Sequence, residues 1–167
     1  VEVIVMFNFF KKKKATGTEV LAAVSGELMP ITDVKDDVFS TKMLGDGFAI
    51  KPNDGNVYAP VSGEISTVFP TKHAIGIKTK EGLELLIHLG LDTVELKGAP
   101  FTTNVKQGDQ VSAGDQLATM DLKQITDAGY DDSVIVVYTN MDLLKAVDPI
   151  EKRSIQHSEK AQTIHFN

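Results

Sequence analysis

Short apolar runs, cut every few residues by Gly, Pro, Asn or Asp, fill the chain from Thr18 to Tyr138. Runs at 19–24, 27–31, 48–51, 57–59, 64–69, 74–78 and 83–89 have the length and composition of strands. Val111, 116–120 and 134–138 continue the series. Turn formers separate them: Pro52-Asn53-Asp54-Gly55, Val61-Ser62-Gly63, Lys80-Glu81-Gly82, Gln107-Gly108-Asp109 and Ala113-Gly114-Asp115. Each such cluster holds residues that accept positive φ or bond their own backbone. Many short strands at close spacing predict an all-β fold, a compact antiparallel β-sandwich or barrel with one or two short helices. The stretch 121–128 predicts one helix, with Asp121 as N-cap and Gly129 as stop. A single turn is predicted over 142–146.

Ala23-Val24-Ser25-Gly26-Glu27-Leu28 is similar to Pro60-Val61-Ser62-Gly63-Glu64-Ile65, and Phe48-Ala49-Ile50-Lys51 to Ile75-Gly76-Ile77-Lys78. The two offsets differ, so these are reused hairpins within one domain rather than a fixed-period array. After Pro149 the chain becomes charged and polar. Thr163-Ile164-His165-Phe166 alternates and predicts a closing strand. The organisation expected is a flexible leader over 1–16, a domain over 17–148, and a tail over 149–167 ending in a strand of the same domain.

At 167 residues the chain is long enough to bury a core without staples. It has no cysteine, which excludes disulfides, thiolate metal sites and thiol nucleophiles and agrees with a cytoplasmic location. A formal charge of −6 speaks against nucleic-acid binding and favours a basic partner. The residues before Met6 read as a non-native start. Phe7, Phe9 and Phe10 precede Lys11, Lys12, Lys13 and Lys14, an order that suits weak contact with an anionic membrane surface, with a solvated tail as the plainer alternative.

The chemistry concentrates in Leu85-Leu86-Ile87-His88-Leu89-Gly90-Leu91-Asp92-Thr93-Val94. His88 sits inside an apolar run, where a neutral imidazole keeps one free lone pair that can attack phosphorus or bind a metal. An ordinary packed histidine is the bland alternative. Gly90 would let a phosphoryl oxygen or a partner's backbone come close. His73, on a neighbouring apolar strand, could donate to phosphoryl oxygens or complete a metal pair. Thr71, two residues earlier on the same strand face, could fix the His73 tautomer. Asp92 completes H-x-x-x-D, as an arginine partner, a metal ligand, or simply the N-cap of a turn through 93–96. His157 and His165 read as surface residues.

At these motifs the chain resembles the IIA component of the glucose family of the bacterial phosphoenolpyruvate-dependent sugar phosphotransferase system. The resemblance runs from about Gly17 to Leu144. It rests on Ala59-Pro60-Val61-Ser62-Gly63, Thr71-Lys72-His73-Ala74, the stretch from Ile87 to Gly98, Gln107-Gly108-Asp109 and Asn140-Met141-Asp142. It implies an antiparallel β-sandwich in which His88 accepts a phosphoryl group from the histidine-containing phosphocarrier protein. His88 then passes it to a cysteine on the IIB domain of a sugar permease, with His73 as stabiliser and Thr71 orienting His73. Phe39, Phe69, Leu86 and Val94 match the family's apolar docking surface, and Leu86 is aliphatic where many relatives are aromatic. Asp36 and Asp92 match acidic positions that meet a basic residue of the phosphocarrier. No cofactor is required, although His73 and His88 could share a zinc with a partner's carboxylate. Regulated permeases or metabolic enzymes are further partners the resemblance implies. Since the chain lacks cysteine, the acceptor cysteine belongs to another protein or a separately expressed region. Met6 and the short leader favour a free-standing component.

Two rivals share features. A zinc peptidase of the lysostaphin type would use His88, Asp92 and His73 as ligands, but its H-x-H pair and general base are missing. A lipoyl or biotinyl carrier would share the hairpin rhythm of 105–117, yet no modification motif surrounds Lys72.

Overall fold

The computed structural model describes residues 17–167. The leader expected over 1–16 therefore lies outside the described residues. The strands are β1 (Thr18–Leu21), β2 (Gly26–Pro30), β3 (Gly47–Pro52), β4 (Asn56–Tyr58), β5 (Gly63–Val68), β6 (Ala74–Lys78) and β7 (Glu84–Leu89). They continue as β8 (Phe101–Thr103), β9 (Gln110–Val111), β10 (Gln116–Met120), β11 (Val134–Tyr138), β12 (Leu144–Val147), β13 (Arg153–Ile155) and β14 (Lys160–Phe166). Two short helices, α1 (Asp37–Ser40) and α2 (Leu122–Asp127), and 3-10 turns at Ile31–Asp33, Thr93–Leu96 and Met141–Leu143 complete the described elements.

An eight-stranded sheet runs in the order β13-β2-β3-β11-β7-β6-β5-β9, beside two three-stranded sheets, β1-β14-β12 and β4-β10-β8. The pairings are antiparallel throughout. The predicted all-β sandwich is thus the observed class.

The period-2 pleat decides what the central strands carry on each face. On β7, Leu85, Ile87 and Leu89 are buried in the main core, while Leu86 and His88 point the other way and stay partly exposed. On β11, Val134, Val136 and Tyr138 enter the main core, whereas Ile135 and Val137 face a smaller cluster with Ile31, Val34, Phe39, Ala49 and Leu91. This second apolar layer supports the face that carries His88.

The two similar segments have a common cause. A Cβ at Gly26 would fall 2.0 Å from the Lys51 carbonyl oxygen, and one at Gly63 2.3 Å from that of Lys78. Each glycine opens a strand where its partner's backbone leaves no room for a side chain.

Several boundaries differ from expectation. The first run ends as a strand at Leu21: Ala22 N donates to Glu159 O and Ala23 O accepts from Tyr58 N at the end of β4, isolated bonds to different segments that build no ladder. The turn expected over 142–146 closes by Leu143, and the chain then extends as β12 along β14. α1, β8 and β13 were not foreseen, being short and partly polar. The predicted α2 has its cap: the Asp121 carboxylate accepts from Gln124 N at 3.0 Å, and Gly129 follows at φ +89°.

Candidate functional site

His88 lies on β7 opposite Ile135 on one side and Ala74 on the other. His73 is one residue before β6, and its carbonyl accepts from Leu89 N at 2.7 Å. The ladder therefore brings the two imidazoles together, with centroids 5.2 Å apart and planes at 76°. The expectation that both would sit on strands holds for His88 alone.

Thr71 is likewise in a turn, not on a strand face. Lys72 N bonds back to Phe69 O at 2.7 Å, and Lys72 takes φ +59°. This reversal, rather than the pleat, sets Thr71 Oγ1 2.5 Å from His73 Nδ1. With the hydroxyl donating to Nδ1, the His73 Nε2 carries the proton and becomes a donor.

The other ring has no such choice. His88 Nδ1 lies 2.7 Å from the Gly90 carbonyl oxygen, which can only accept. The proton of neutral His88 therefore sits on Nδ1, and Nε2 keeps its lone pair. Burial, the leading influence, lowers the His88 pKa below 6.5; the Gly90 carbonyl opposes it, His73 reinforces it, and Asp36 and Asp92 pull upward. Burial also lowers that of His73. Both rings are thus held neutral at pH 7.

Gly90 has a reason different from the one expected. Its φ is +80°, and a Cβ would lie 2.4 Å from Thr93 Cγ2 and 2.9 Å from Asp131 O. It makes room for the protein's own loop, not for an incoming group. Thr93, unremarked in the sequence reading, is fully buried and donates to Leu89 O at 2.5 Å. Its only sequence signal is a hydroxyl following the Asp92 turn.

Phe39 stands edge-on to His88 at 5.1 Å, and Phe69 edge-on to His73 at 5.1 Å. A four-residue helix cannot hold itself in water. α1 is held by Asp36, whose carboxylate accepts from Val38 N at 2.9 Å, and by burial of Phe39. The cap contributes about 1 kcal/mol and the buried ring roughly 2 kcal/mol. Leu86 shares the His88 face, two residues away. Asp92 is exposed at φ +59° and starts the Thr93–Leu96 turn without a side-chain cap, so its carboxylate is available to solvent. Val94 on that turn is 43% exposed. Of the residues singled out in the sequence, His157 stacks on Tyr58 at 3.8 Å and His165 meets Asp148 at 2.9 Å, both away from the pair.

A groove of about 850 Å³, lined by residues such as Val61, Leu83, Val111 and Phe166, contains neither histidine. Among the described residues, no group of three or more His, Cys, Asp or Glu is gathered to hold a metal ion. His73 and His88 alone are half of a tetrahedral zinc site.

The fold and site define a class: an antiparallel β-sandwich that brings together two imidazoles, partly exposed His88 and buried His73, beside the rings of Phe39 and Phe69. The chain belongs to the phosphoenolpyruvate-dependent sugar phosphotransferase system, EIIA 1 family, whose model matches residues 18–144. It is 49% identical over 163 residues to the PTS system glucose-specific EIIA component of Halalkalibacterium halodurans, covering 95% of this chain and 92% of that one. It is 53% identical over 129 residues to the glucose-specific EIICBA component of Streptococcus pneumoniae, spanning 77% of this chain but 18% of that longer protein. The solved glucose permease IIA from Mycoplasma capricolum superimposes with a TM-score of 0.79 at 41% identity, covering 87% of this chain and 94% of that one. The glucose-family resemblance carried by the His73 and His88 motifs is therefore borne out. EIIA components of this system are phosphotransferases, so the lysostaphin-type alternative falls. No described helix is long and apolar enough to cross a membrane.

Proposed function

We propose that His88 is the phosphoryl acceptor of this phosphotransferase and His73 its stabiliser. The observation that carries this reading is the Nδ1–H of His88 bonded to Gly90 O, which leaves Nε2 as the nucleophilic nitrogen. The Nε2 lone pair forms the new N–P bond while the donor's N–P bond breaks and its electron pair returns to the donor nitrogen. The His73 Nε2–H, oriented through Thr71, donates to a phosphoryl oxygen. Little covalent work is asked of the protein beyond position and charge stabilisation.

The donor is the histidine-containing phosphocarrier protein, and the acceptor is a cysteine on the IIB domain of a sugar permease. Two features support this. The pneumococcal relative is named as one EIICBA component, so a IIA part there shares its chain with IIB and IIC. This chain contains no cysteine of its own. Docking uses Phe39, Phe69, Leu86 and Val94 as an apolar surface, with Asp36 and Asp92 meeting a basic partner residue.

The test is intact mass after incubation with phosphoenolpyruvate, the system's first enzyme and the phosphocarrier. One acid-labile phosphate on wild type, absent from His88→Ala, is expected. No phosphate on wild type beside active partners would refute the assignment.

A further inference from the structure

The carbonyl that fixes the His88 tautomer belongs to the loop that leaves β7. Gly90 is at φ +80° and the next residues turn away from β7. Two backbone bonds tie the loop down: Gly90 N donates to Ser133 O at 2.8 Å, and Leu91 N to Asp131 O at 2.9 Å. Both acceptors lie in the three residues before β11, so the stretch 131–133 sets where Gly90 O points.

That stretch is folded by one carboxylate. Asp131 Oδ1 accepts from Ser133 N at 2.8 Å and from Ser133 Oγ at 2.6 Å, closing a two-residue turn. Lys51 on β3 pairs with the buried Asp132 carboxylate and lies 3.9 Å from Asp131 Oδ1. The turn is thus clamped to the same sheet that carries His88. Burial of Asp131 acts to raise its pKa, but the two Ser133 bonds and the charges of Lys51 and Lys35 outweigh it, so the carboxylate stays ionised.

We propose that Asp131 is a positioning residue for His88, acting through the 131–133 turn and Gly90 to hold the proton on His88 Nδ1. The proposal rests on His88 being the phosphoryl acceptor only for its consequence in transfer; the tautomer itself is a property of the resting protein. The turn needs an acceptor at the right distance, not a charge.

Three variants separate these requirements. Asp131→Asn keeps an acceptor oxygen without the charge. Asp131→Glu keeps the charge but moves it one methylene too far to close the turn. Asp131→Ala removes both. The readout is the long-range proton–nitrogen spectrum of the His88 ring above its pKa, with the amide spectrum reporting folding. Wild type and Asp131→Asn should give one Nδ1–H tautomer. Asp131→Glu and Asp131→Ala should give a mixture, with phosphoryl transfer slowed about tenfold, the scale typical of lost supporting contacts. If Asp131→Ala does not fold, Asp131→Glu decides. An unchanged His88 tautomer in Asp131→Glu overturns the proposal. A changed tautomer in Asp131→Glu, beside a wild type whose His88 takes no phosphate, keeps the positioning role and sinks the acceptor assignment instead.

Discussion

His88 Nδ1 lies 2.7 Å from the carbonyl oxygen of Gly90, two residues along the same chain. A carbonyl cannot donate, so this contact selects one tautomer and aims the free lone pair of Nε2 outward. Beside it, the Thr71 hydroxyl lies 2.5 Å from His73 Nδ1, and when it donates there His73 Nε2 is left as the donor. One lone pair and one N–H thus project from rings whose centroids are 5.2 Å apart. A tetrahedral phosphoryl group bonded to the first nitrogen needs a donor of this kind nearby.

Separate roles predict separate losses. His88→Ala should take up no phosphate. His73→Gln should still be phosphorylated but pass phosphate to a IIB acceptor on the order of 10²-fold more slowly, the scale of a lost positioned donor. Thr71→Val removes only the orienting hydroxyl and should slow transfer about tenfold. Rapid-quench transfer measurements check all three. Normal transfer by His73→Gln would remove it from the mechanism.

Burial lowers the folded-state pKa of both His73 and His88 below 6.5. In the unfolded chain they titrate near 6.5, so between the folded and unfolded values the unfolded state binds more protons. Their contribution to stability is complete above pH 6.5 and is lost as pH falls through the folded pKa values. Phosphate uptake should stay flat from pH 8 to about 6.5, since the nucleophile is already neutral there. Proton NMR of the two Hε1 resonances gives the midpoints. A midpoint above 6.5 for His88 would show that Asp36, Asp92 and Gly90 O together outweigh its burial.

The sequence carried the fold class because strand patterning is local: Ile75, Ile77, Leu85, Ile87, Val134 and Val136 each announce an inward face. It also pointed to the two histidines that the fold brings together, since His73 and His88 stand in recognisable motifs. What it hid is set by tertiary geometry. Nothing near Asp131 says that its turn meets Gly90, because those residues are joined by bonds across sheet neighbours. The Thr71 contact was anticipated for the wrong reason, a strand face instead of a turn with Lys72 at φ +59°. Helix α1 was missed because four residues hold no helical period; its cap and Phe39 work only against the folded sheet.

Gly90→Ala tests the loop directly. The new methyl group would fall 2.4 Å from Thr93 Cγ2 on a backbone at φ +80°. Strain and overpacking together should cost roughly 3 kcal/mol. Urea unfolding should show a lowered midpoint with an unchanged slope. A change under about 0.5 kcal/mol, the scatter of ordinary surface substitutions, would mean the loop opens freely and cannot be what fixes the His88 ring.

The tail can be tested as a part of the domain. Fully buried Tyr138 on β11 donates its hydroxyl to Gln162 Oε1 on β14 at 2.8 Å. Gln162 Nε2 in turn donates to Asp148 O at 2.8 Å and Gly47 O at 3.3 Å. Burial holds the Tyr138 pKa well above 10.0, so the phenol remains a donor at any ordinary pH. Tyr138→Phe leaves Gln162 Oε1 buried without a partner, which should cost about 1–3 kcal/mol. Because β14 also pairs with β1 and β12 and buries Ile164 in the main core, that loss should lower one cooperative transition. Far-ultraviolet dichroism and hydrogen exchange at β14 amides should report the same midpoint in both proteins. A separate early transition of β14 in wild type would instead make residues 149–167 an appendage of the domain.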